Sequence, residues 1–254
     1  YFTIKYSPSL VLLSSAAYNG AAFGDDLAYG VAVDHSDNII VTGYSYNGSN
    51  VDFFTIKYSP DLSAVLSSAV YNSPENNSDS AYDVAVDGHD NIIVTGSSYN
   101  GSDTDYLTLK YSPDLSVVLS SASYINPLGT DEANAVAVDA ADNIFITGYA
   151  YNGANDDYFT IEYNAALVAI ASVTYNNPSN LGDVAYGIAI DDSGNVYVTG
   201  YSDNGVDGEM RTLIAKFLRQ NGYRVTGVRD GREMWETLTN AQVDLVLLDV
   251  MLPG

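Results

Sequence analysis

Apolar and polar positions along most of the chain follow a pattern that repeats every 52 or 53 residues. The copies start at four alanines, Ala28, Ala81, Ala133 and Ala185, and each contains an apolar segment, an aspartate-rich turn and a second apolar segment. Self-similarity at this period predicts an array of stacked structural units. The pattern covers residues 1–208 and is absent from residues 209–254, so these two parts are predicted to be separate domains.

Each repeat contains four short stretches that are predicted to be β-strands. In the first whole repeat they span residues 30–34, 38–44, 52–58 and 64–71. They are rich in β-branched and aromatic residues, which favour strands. An Asn-Gly pair such as Asn47-Gly48 recurs between the second and third stretches, and this pair suits tight hairpins. The repeat is therefore predicted to be an antiparallel four-stranded meander.

The strands do not alternate cleanly between apolar and polar residues, so each sheet is expected to be covered on both faces by its neighbours. Radial stacking of such sheets forms a β-propeller. Residues 1–19 match only the third and fourth strands of a repeat, and residues 185–203 match only the first and second. We expect a mainly β fold, a four-bladed β-propeller of four-stranded antiparallel blades in which one blade is split between the two ends. The rival arrangement is an open arc cut from a larger ring.

The last 46 residues show a different periodicity. Apolar residues at helical spacing run from Met210 to Leu218, and residues 230–238 form a second predicted helix. Residues 223–228 and 243–250 are predicted to be strands, which makes this segment α/β. An alternative places residues 211–217 as a third propeller strand, because they lie 52 residues after Phe159.

Composition changes at the same boundary. Residues 1–208 hold 26 of the 32 acidic residues but only Lys5, Lys57 and Lys110 as basic residues, so they carry the whole net charge of -23. Such a surface repels nucleic acid phosphates and anionic lipid headgroups, so neither is an expected partner. The longest apolar runs, residues 10–13 and 243–248, are too short to insert into a membrane. The chain has no cysteine, which excludes disulfides and thiolate metal sites.

On the blocks at residues 31–43 and 53–59 and their copies, residues 1–208 resemble the bacterial β-propeller repeat (SBBP-like) of secreted and cell-surface proteins. The resemblance implies an extracellular or cell-surface location. It also implies a non-enzymatic binding or scaffold module, whose ligand would be an unknown protein or carbohydrate.

Residues 209–254 resemble the first half of a two-component response regulator receiver domain, with LVLLDVMLPG as the most specific signature. By this resemblance Asp249 is the phosphoacceptor. Receivers also use an acidic pair that holds Mg²⁺, a hydroxyl residue and a lysine, and none of these is found in this segment, so Asp249 is expected to be inactive. The alternative is a phosphorelay signal transduction protein. Because receivers act in the cytoplasm, we expect a chimera joined near residues 205–210.

The turn between the first and second predicted strands brings oxygen ligands together in every copy, which suggests a weak Ca²⁺ site. The acids concerned are Asp34, Asp37, Asp87, Asp90, Asp139, Asp142, Asp191 and Asp192. The competing interpretation is that these residues cap their own backbone.

The two histidines, His35 and His89, fall at different positions of equivalent turns, so no repeated imidazole site is expected. Tyrosines recur at Tyr44, Tyr58 and Tyr71. They are expected to pack between blades or, alternatively, to contact sugar rings. No serine has a base positioned beside it by the sequence, and no catalytic residue is predicted.

Overall fold

A computed structural model describes residues 1–203 together with Lys216 and Gln220. The chain divides into two compact units, Tyr1–Asn204 and Gly205–Gly254, and the predicted boundary after residue 208 stays a prediction. Lys216 and Gln220 are helical, so the alternative strand over residues 211–217 is wrong at Lys216. The second helix and the two strands predicted for the tail lie outside the described residues. No helix among the described residues is long and apolar enough to cross a membrane.

The first unit consists of sixteen antiparallel strands in five sheets. The first sheet contains β1 (Phe2–Tyr6) and β2 (Leu12–Ala17), and the last contains β15 (Asp183–Ile190) and β16 (Val196–Ser202). Between them lie three four-stranded sheets, whose strands are β3 (Asp26–Val33), β4 (Ile39–Tyr46), β5 (Val51–Tyr58) and β6 (Val65–Tyr71); β7 (Asp79–Val86), β8 (Ile92–Tyr99), β9 (Thr104–Tyr111) and β10 (Val118–Tyr124); and β11 (Asp131–Val138), β12 (Ile144–Tyr151), β13 (Asp156–Tyr163) and β14 (Ala169–Tyr175).

Each four-stranded sheet is a meander in chain order, so the predicted four-stranded antiparallel unit is confirmed. We call its strands the inner, second, third and outer strand in that order. The predicted strands have the right positions, although the inner strand begins earlier than expected, at Asp26 in the first complete sheet.

The predicted blade split between the two ends is wrong. β1–β2 and β15–β16 are separate two-stranded sheets, and no hydrogen-bonded ladder joins β16 to β1. The reason lies in how the sheets stack. The inner strand β7 contacts the inner, second and third strands of the preceding sheet, and β11 and β15 repeat this arrangement. The sheets thus stack in chain order, and because the last sheet packs on the sheet before it and shares no ladder with the first, residues 1–203 form the open arc.

Apolar side chains fill the space between successive sheets. One cluster joins Ile40 and Phe53 of one sheet to Ala81, Val84 and further residues of the next, and equivalent clusters lie at the two neighbouring junctions. The core is therefore shared between sheets, and no single sheet has a core of its own.

A leucine with positive φ closes the turn after each third strand. Leu62, Leu115 and Leu167 have φ of 59–60° and are only 4–6% exposed. A bulky residue rarely adopts this left-handed conformation, so burial of the side chain must offset the backbone strain. Leu10 has the same φ of 59° but is 80% exposed. Its sheet lacks the inner and second strands among the described residues.

Candidate functional site

The inner strand of each sheet contains a β-bulge at the same repeat position. In β3 the register with β4 shifts between Ala28 and Gly30, which leaves Tyr29 as the extra residue. The same shift occurs in the other inner strands and leaves Tyr82, Asn134 and Tyr186 as the extra residues. We call Tyr29, Tyr82, Asn134 and Tyr186 the bulge row. Bulges re-aim side chains and are common beside functional sites, so the bulge row is the candidate site.

Glycines in the second strand make the bulge possible. A Cβ atom at Gly43 would lie 1.9 Å from the carbonyl oxygen of Leu27, and one at Gly96 would lie 2.0 Å from that of Ser80. The backbone of the bulged strand thus occupies the space that a side chain would need. Gly30 has a second role, because a Cβ there would lie 2.8 Å from the Cα atom of Asp83 in the next sheet.

The bulge row presents aromatic rings to solvent. The ring of Tyr29 packs edge-on against that of Tyr82, with centroids 5.5 Å apart. The ring centroid of Tyr44 lies 5.9 Å from that of Tyr29. Tyr29 is 51% exposed and Tyr186 is 63% exposed. Asn134 donates a side-chain hydrogen bond of 2.8 Å to the carbonyl oxygen of Ala185 in the next sheet. Tyr29, Tyr44 and Tyr82 therefore form an accessible aromatic group that spans two sheets.

Acidic residues adjoin this aromatic group. Burial raises the pKa of Glu132, although a hydrogen bond from Tyr149 opposes the shift. The pKa of Tyr149 is in turn raised by burial and by the charges of Glu132 and Asp156. Glu132 also raises the pKa of Tyr82, after the larger effect of burial. Exposed tyrosine rings beside carboxylates can stack on sugar rings or hold a cation against the ring face.

The three tyrosines singled out from the sequence have different environments. Tyr58 is 2% exposed in the apolar cluster that also holds Phe54. Tyr71 packs against the next cluster, with its ring 5.7 Å from that of Phe53. Only Tyr44 adjoins the bulge row. The bulged tyrosines themselves were missed, although the Ala-Tyr-Gly sequence opposite a Thr-Gly pair interrupts strand alternation and was a visible signal.

The turns after the inner strands lie at the other end of those strands. In the first turn the backbone N–H groups of Ser36 and Asn38 both donate to Asp34 Oδ1. Asp34 Oδ2 lies 2.7 Å from Lys57 Nζ. Burial alone would raise the pKa of Asp34, but hydrogen bonds from Lys57, Asn38 and the turn backbone hold it at about 2. Asp34 thus caps its own turn and already has a cationic partner.

The other turns repeat the capping with one change. Asp87 Oδ2 lies 2.8 Å from Lys110 Nζ, and Asp139 and Asp191 cap their turns through Asn143 and Asn195. The residue at the lysine position of the third four-stranded sheet is Glu162, which pairs with Phe145 as Lys57 pairs with Ile40.

The fourth residue of three turns is an aspartate with positive φ. Asp37, Asp90 and Asp142 have φ of 62–63°, and Gly194 takes this place in the last turn, where Asp192 is exposed. The calcium interpretation of the eight acids stays a prediction.

Each histidine contacts an aspartate of the next turn, although the two histidines occupy different positions of their own turns. His35 Nδ1 lies 2.7 Å from Asp90 Oδ1 of the next turn, and His89 Nδ1 lies 2.8 Å from Asp142 Oδ2. The pKa of His35 is raised by its hydrogen bond to Asp90. Ligand atoms of Asp87, His89 and Asp142 lie within 4.8 Å of one another. A metal ion there would meet the Lys110 ammonium that already binds Asp87, so this cluster is a poor metal site.

No serine hydroxyl is hydrogen-bonded to either histidine within residues 1–203, which leaves the described region without a Ser-His pair. Asp249, the phosphoacceptor implied by resemblance, lies outside the described residues.

Comparisons with known proteins agree with the division of the chain. A family described as Beta-propeller repeat matches residues 180–205. A second family, described as Response regulator receiver domain, matches residues 207–254. Protein PetR of Rhodobacter capsulatus is 42% identical over 48 residues, which are 19% of this chain and 20% of PetR. The chain therefore combines a β-propeller repeat with a receiver segment, and the match spans about a fifth of the length of PetR.

Proposed function

We propose that residues 1–208 form a non-enzymatic binding or scaffold module of an exported bacterial protein, and that the ligand contacts the bulge row. The observation that carries this proposal is the aromatic group of exposed Tyr29 and half-buried Tyr44 and Tyr82. An aromatic ring that a bulge turns toward solvent offers a flat apolar surface with a polar hydroxyl, which suits recognition of another molecule.

The ligand is an unknown protein or a carbohydrate. A sugar ring would stack on Tyr29 and Tyr82, while the neighbouring carboxylates accept hydrogen bonds from its hydroxyl groups. The net charge of -23 favours neutral or cationic ligands over polyanions. Nucleic acid and membrane insertion are not part of the proposal.

Affinity electrophoresis in gels that contain neutral polysaccharides tests the carbohydrate form of the proposal. The whole chain should be retarded by at least one polysaccharide, and the double variant Tyr29→Ala/Tyr82→Ala should lose most of the retardation. Tyr6→Ala is a matched control, because Tyr6 is 52% exposed but lies at the end of β1. Equal loss of retardation in the control and the double variant would contradict the proposed position of the site.

The protein form needs a separate probe, because the partner is unidentified. A lysine-rich peptide immobilised on a sensor surface should bind the chain at low ionic strength, and the same double variant should weaken that binding. If neither polysaccharides nor the peptide bind, the bulge row is not a ligand site for these classes.

A second candidate function is phosphorelay signal transduction with Asp249 as the phosphoacceptor, favoured by the receiver match over residues 207–254. Aspartyl phosphorylation in such domains depends on Mg²⁺ and a cationic side chain that stabilise the transferred group. Incubation with Mg²⁺ and acetyl phosphate, followed by intact mass measurement, should show no adduct under our first proposal. A phosphate adduct that Asp249→Asn abolishes would favour the second.

The two parts imply different compartments, extracellular or cell surface for the repeats and cytoplasm for a working receiver. We infer that the junction near residues 205–210 joins sequences of separate origin. The join would have arisen in sequence assembly or by gene rearrangement, and sequencing of the gene across it from long single reads distinguishes the two. Reads that do not contain the junction would show an assembly join, and an uninterrupted reading frame in independent reads would exclude one.

A further inference from the structure

Buried carboxylates recur at the ends of the sheets opposite the capped turns. Asp79, Asp131 and Asp183 begin the inner strands of three successive sheets and are fully buried. Asp52, Asp105 and Asp157 lie at the second position of the third strands and are 3–4% exposed. Six buried acids at fixed repeat positions need partners, because an unpaired buried charge is strongly unfavourable.

The acids lie on strands that meet at the junctions between sheets, because each third strand packs against the inner strand of the following sheet. Burial raises the pKa of Asp131 to about 6, and the charge of Asp105 in the preceding sheet adds to this shift. Burial likewise raises the pKa of Asp52, and the charge of Asp79 adds to the shift. The pKa of Asp157 is raised by burial and by the charge of Asp183. Each third-strand acid is thus paired electrostatically with the inner-strand acid of the following sheet. We call these the carboxylate pairs.

Hydrogen bonds satisfy only part of each pair. Asn100 Nδ2 donates to Asp105 Oδ2 at 2.6 Å, and equivalent bonds of 2.8–2.9 Å reach Asp52 and Asp157. The other oxygen, Oδ1, of all three third-strand acids is buried without any hydrogen-bond donor. In the central pair Asp131 Oδ2 is also buried and has no donor, whereas both oxygens of Asp79 and of Asp183 accept hydrogen bonds. The same atom is therefore left without a partner in three independent copies.

No lysine of the described residues neutralises the carboxylate pairs. Among residues 1–203 the salt bridges of the lysines involve Asp34 and Asp87 at the opposite end of the sheets, and none of the six paired acids has one. Two carboxylates held close together in a buried place cannot both stay ionised without a positive charge between them. Carboxylate oxygens at such a place are the ligands that a hard divalent cation prefers.

We propose that each carboxylate pair binds one Ca²⁺ ion between adjacent sheets. The central pair, Asp105 and Asp131, is the strongest site because both acids offer an oxygen without a donor. In the first pair the hydroxyl of Ser73, which is buried without a hydrogen bond beside Asp79, offers a further oxygen. The bound ion links the third strand of one sheet to the inner strand of the next. These sites are separate from the turns for which the sequence suggested calcium.

The whole chain, freed of metal with a chelator, is titrated with CaCl₂ by calorimetry. Its thermal unfolding is then followed with and without about 10 mM Ca²⁺, a concentration above the dissociation constants typical of extracellular calcium modules. Saturable binding and a higher Tm are expected. Tb³⁺ should show sensitised emission that Ca²⁺ suppresses, because Tyr106 and Tyr124 lie close enough to Asp131 for its charge to raise their pKa values.

Asp105→Asn should lower the stoichiometry by one ion and reduce the calcium-dependent rise in Tm. Asp192→Asn removes the same charge from an exposed turn and should change neither. Asp52→Asn and Asp157→Asn repeat the test at the other pairs if Asp105→Asn does not fold. The proposal is overturned if the parent protein shows no calcium heat and no change in Tm. It is also overturned if Asp192→Asn, and not the pair variants, loses calcium, since the turns would then be the sites.

Discussion

The exchange of lysine for glutamate in the third complete sheet allows a stabilising substitution to be predicted. Lys57 and Lys110 each neutralise the first acid of their own turn, whereas Glu162 stands at the same register position in the third complete sheet, whose first turn acid is Asp139. We predict that Glu162→Lys stabilises the protein, because it supplies the ammonium group that the other two sheets have at this position.

The expected size follows from the contacts of Lys110. Its Nζ atom lies 2.8 Å from Asp87 Oδ2 and donates a bond of 2.7 Å to the carbonyl oxygen of Ala165 in the next sheet. A hydrogen bond to a charged group contributes about 1.5–3 kcal/mol. A lysine at position 162 would reach Asp139, but β15–β16 has no third strand among the described residues to supply the carbonyl. Because Asp139 is also half-exposed and screened, we expect a gain of about 1 kcal/mol.

Thermal unfolding followed by circular dichroism at low ionic strength measures this gain. For a domain of this size about 1 kcal/mol corresponds to a rise in Tm of roughly 2–4 °C. The reverse change, Lys110→Glu, serves as the control and should lose about 3–5 kcal/mol, since it leaves Asp87 buried beside a like charge. A lower Tm for Glu162→Lys, or an unchanged Tm for Lys110→Glu, would refute the assigned role of the lysine position.

Three further predictions concern stability. Leu115→Ala should lower the free energy of unfolding in urea by about 2–5 kcal/mol, whereas Leu10→Ala, at nearly the same φ but 80% exposed, should lower it far less. Equal losses would contradict the stabilising role of the buried leucine. Gly96→Ala should unfold the second four-stranded sheet because its Cβ would lie 2.0 Å from Ser80 O, while Gly182→Ala meets no atom within 4 Å and should be tolerated; a folded Gly96→Ala protein would contradict the bulge geometry. The pKa of Asp34, held at about 2 in the folded protein against 3.8 in the unfolded chain, predicts stability that is present above pH 4 and lost between about pH 4 and pH 2; Asp34→Asn should flatten this part of the Tm profile, and an unaltered profile would exclude the contribution.

Periodicity was enough to predict the four-stranded sheets, because strand formation depends on local β-branched and aromatic content and on Asn-Gly turns that every copy shares. The ring closure could not be predicted, since the matches of residues 1–19 to the last two strands of a repeat and of residues 185–203 to the first two say which strands are absent from each sheet. They do not say how far one sheet rotates against the next. That rotation depends on packing between faces, such as Phe53 against Ala81.

The candidate site was predicted less well. Tyr44 was singled out because it recurs, but the bulge that exposes Tyr29 depends on a register shift against Gly43, which is a property of two strands together. The contact of His35 with Asp90 was missed for a similar reason, because it joins turns of adjacent sheets. The carboxylate pairs also depend on stacking, since Asp105 and Asp131 are brought together only by the junction between two sheets.

Amide hydrogen exchange in β1 tests most directly whether the stacked sheets stay open. In the open arrangement the amides of β1 directed toward β2 are protected, while those on its other edge exchange rapidly in the monomeric protein. Strong protection of this other edge would show that β1 is paired with a further strand such as β16, and would contradict the open arrangement.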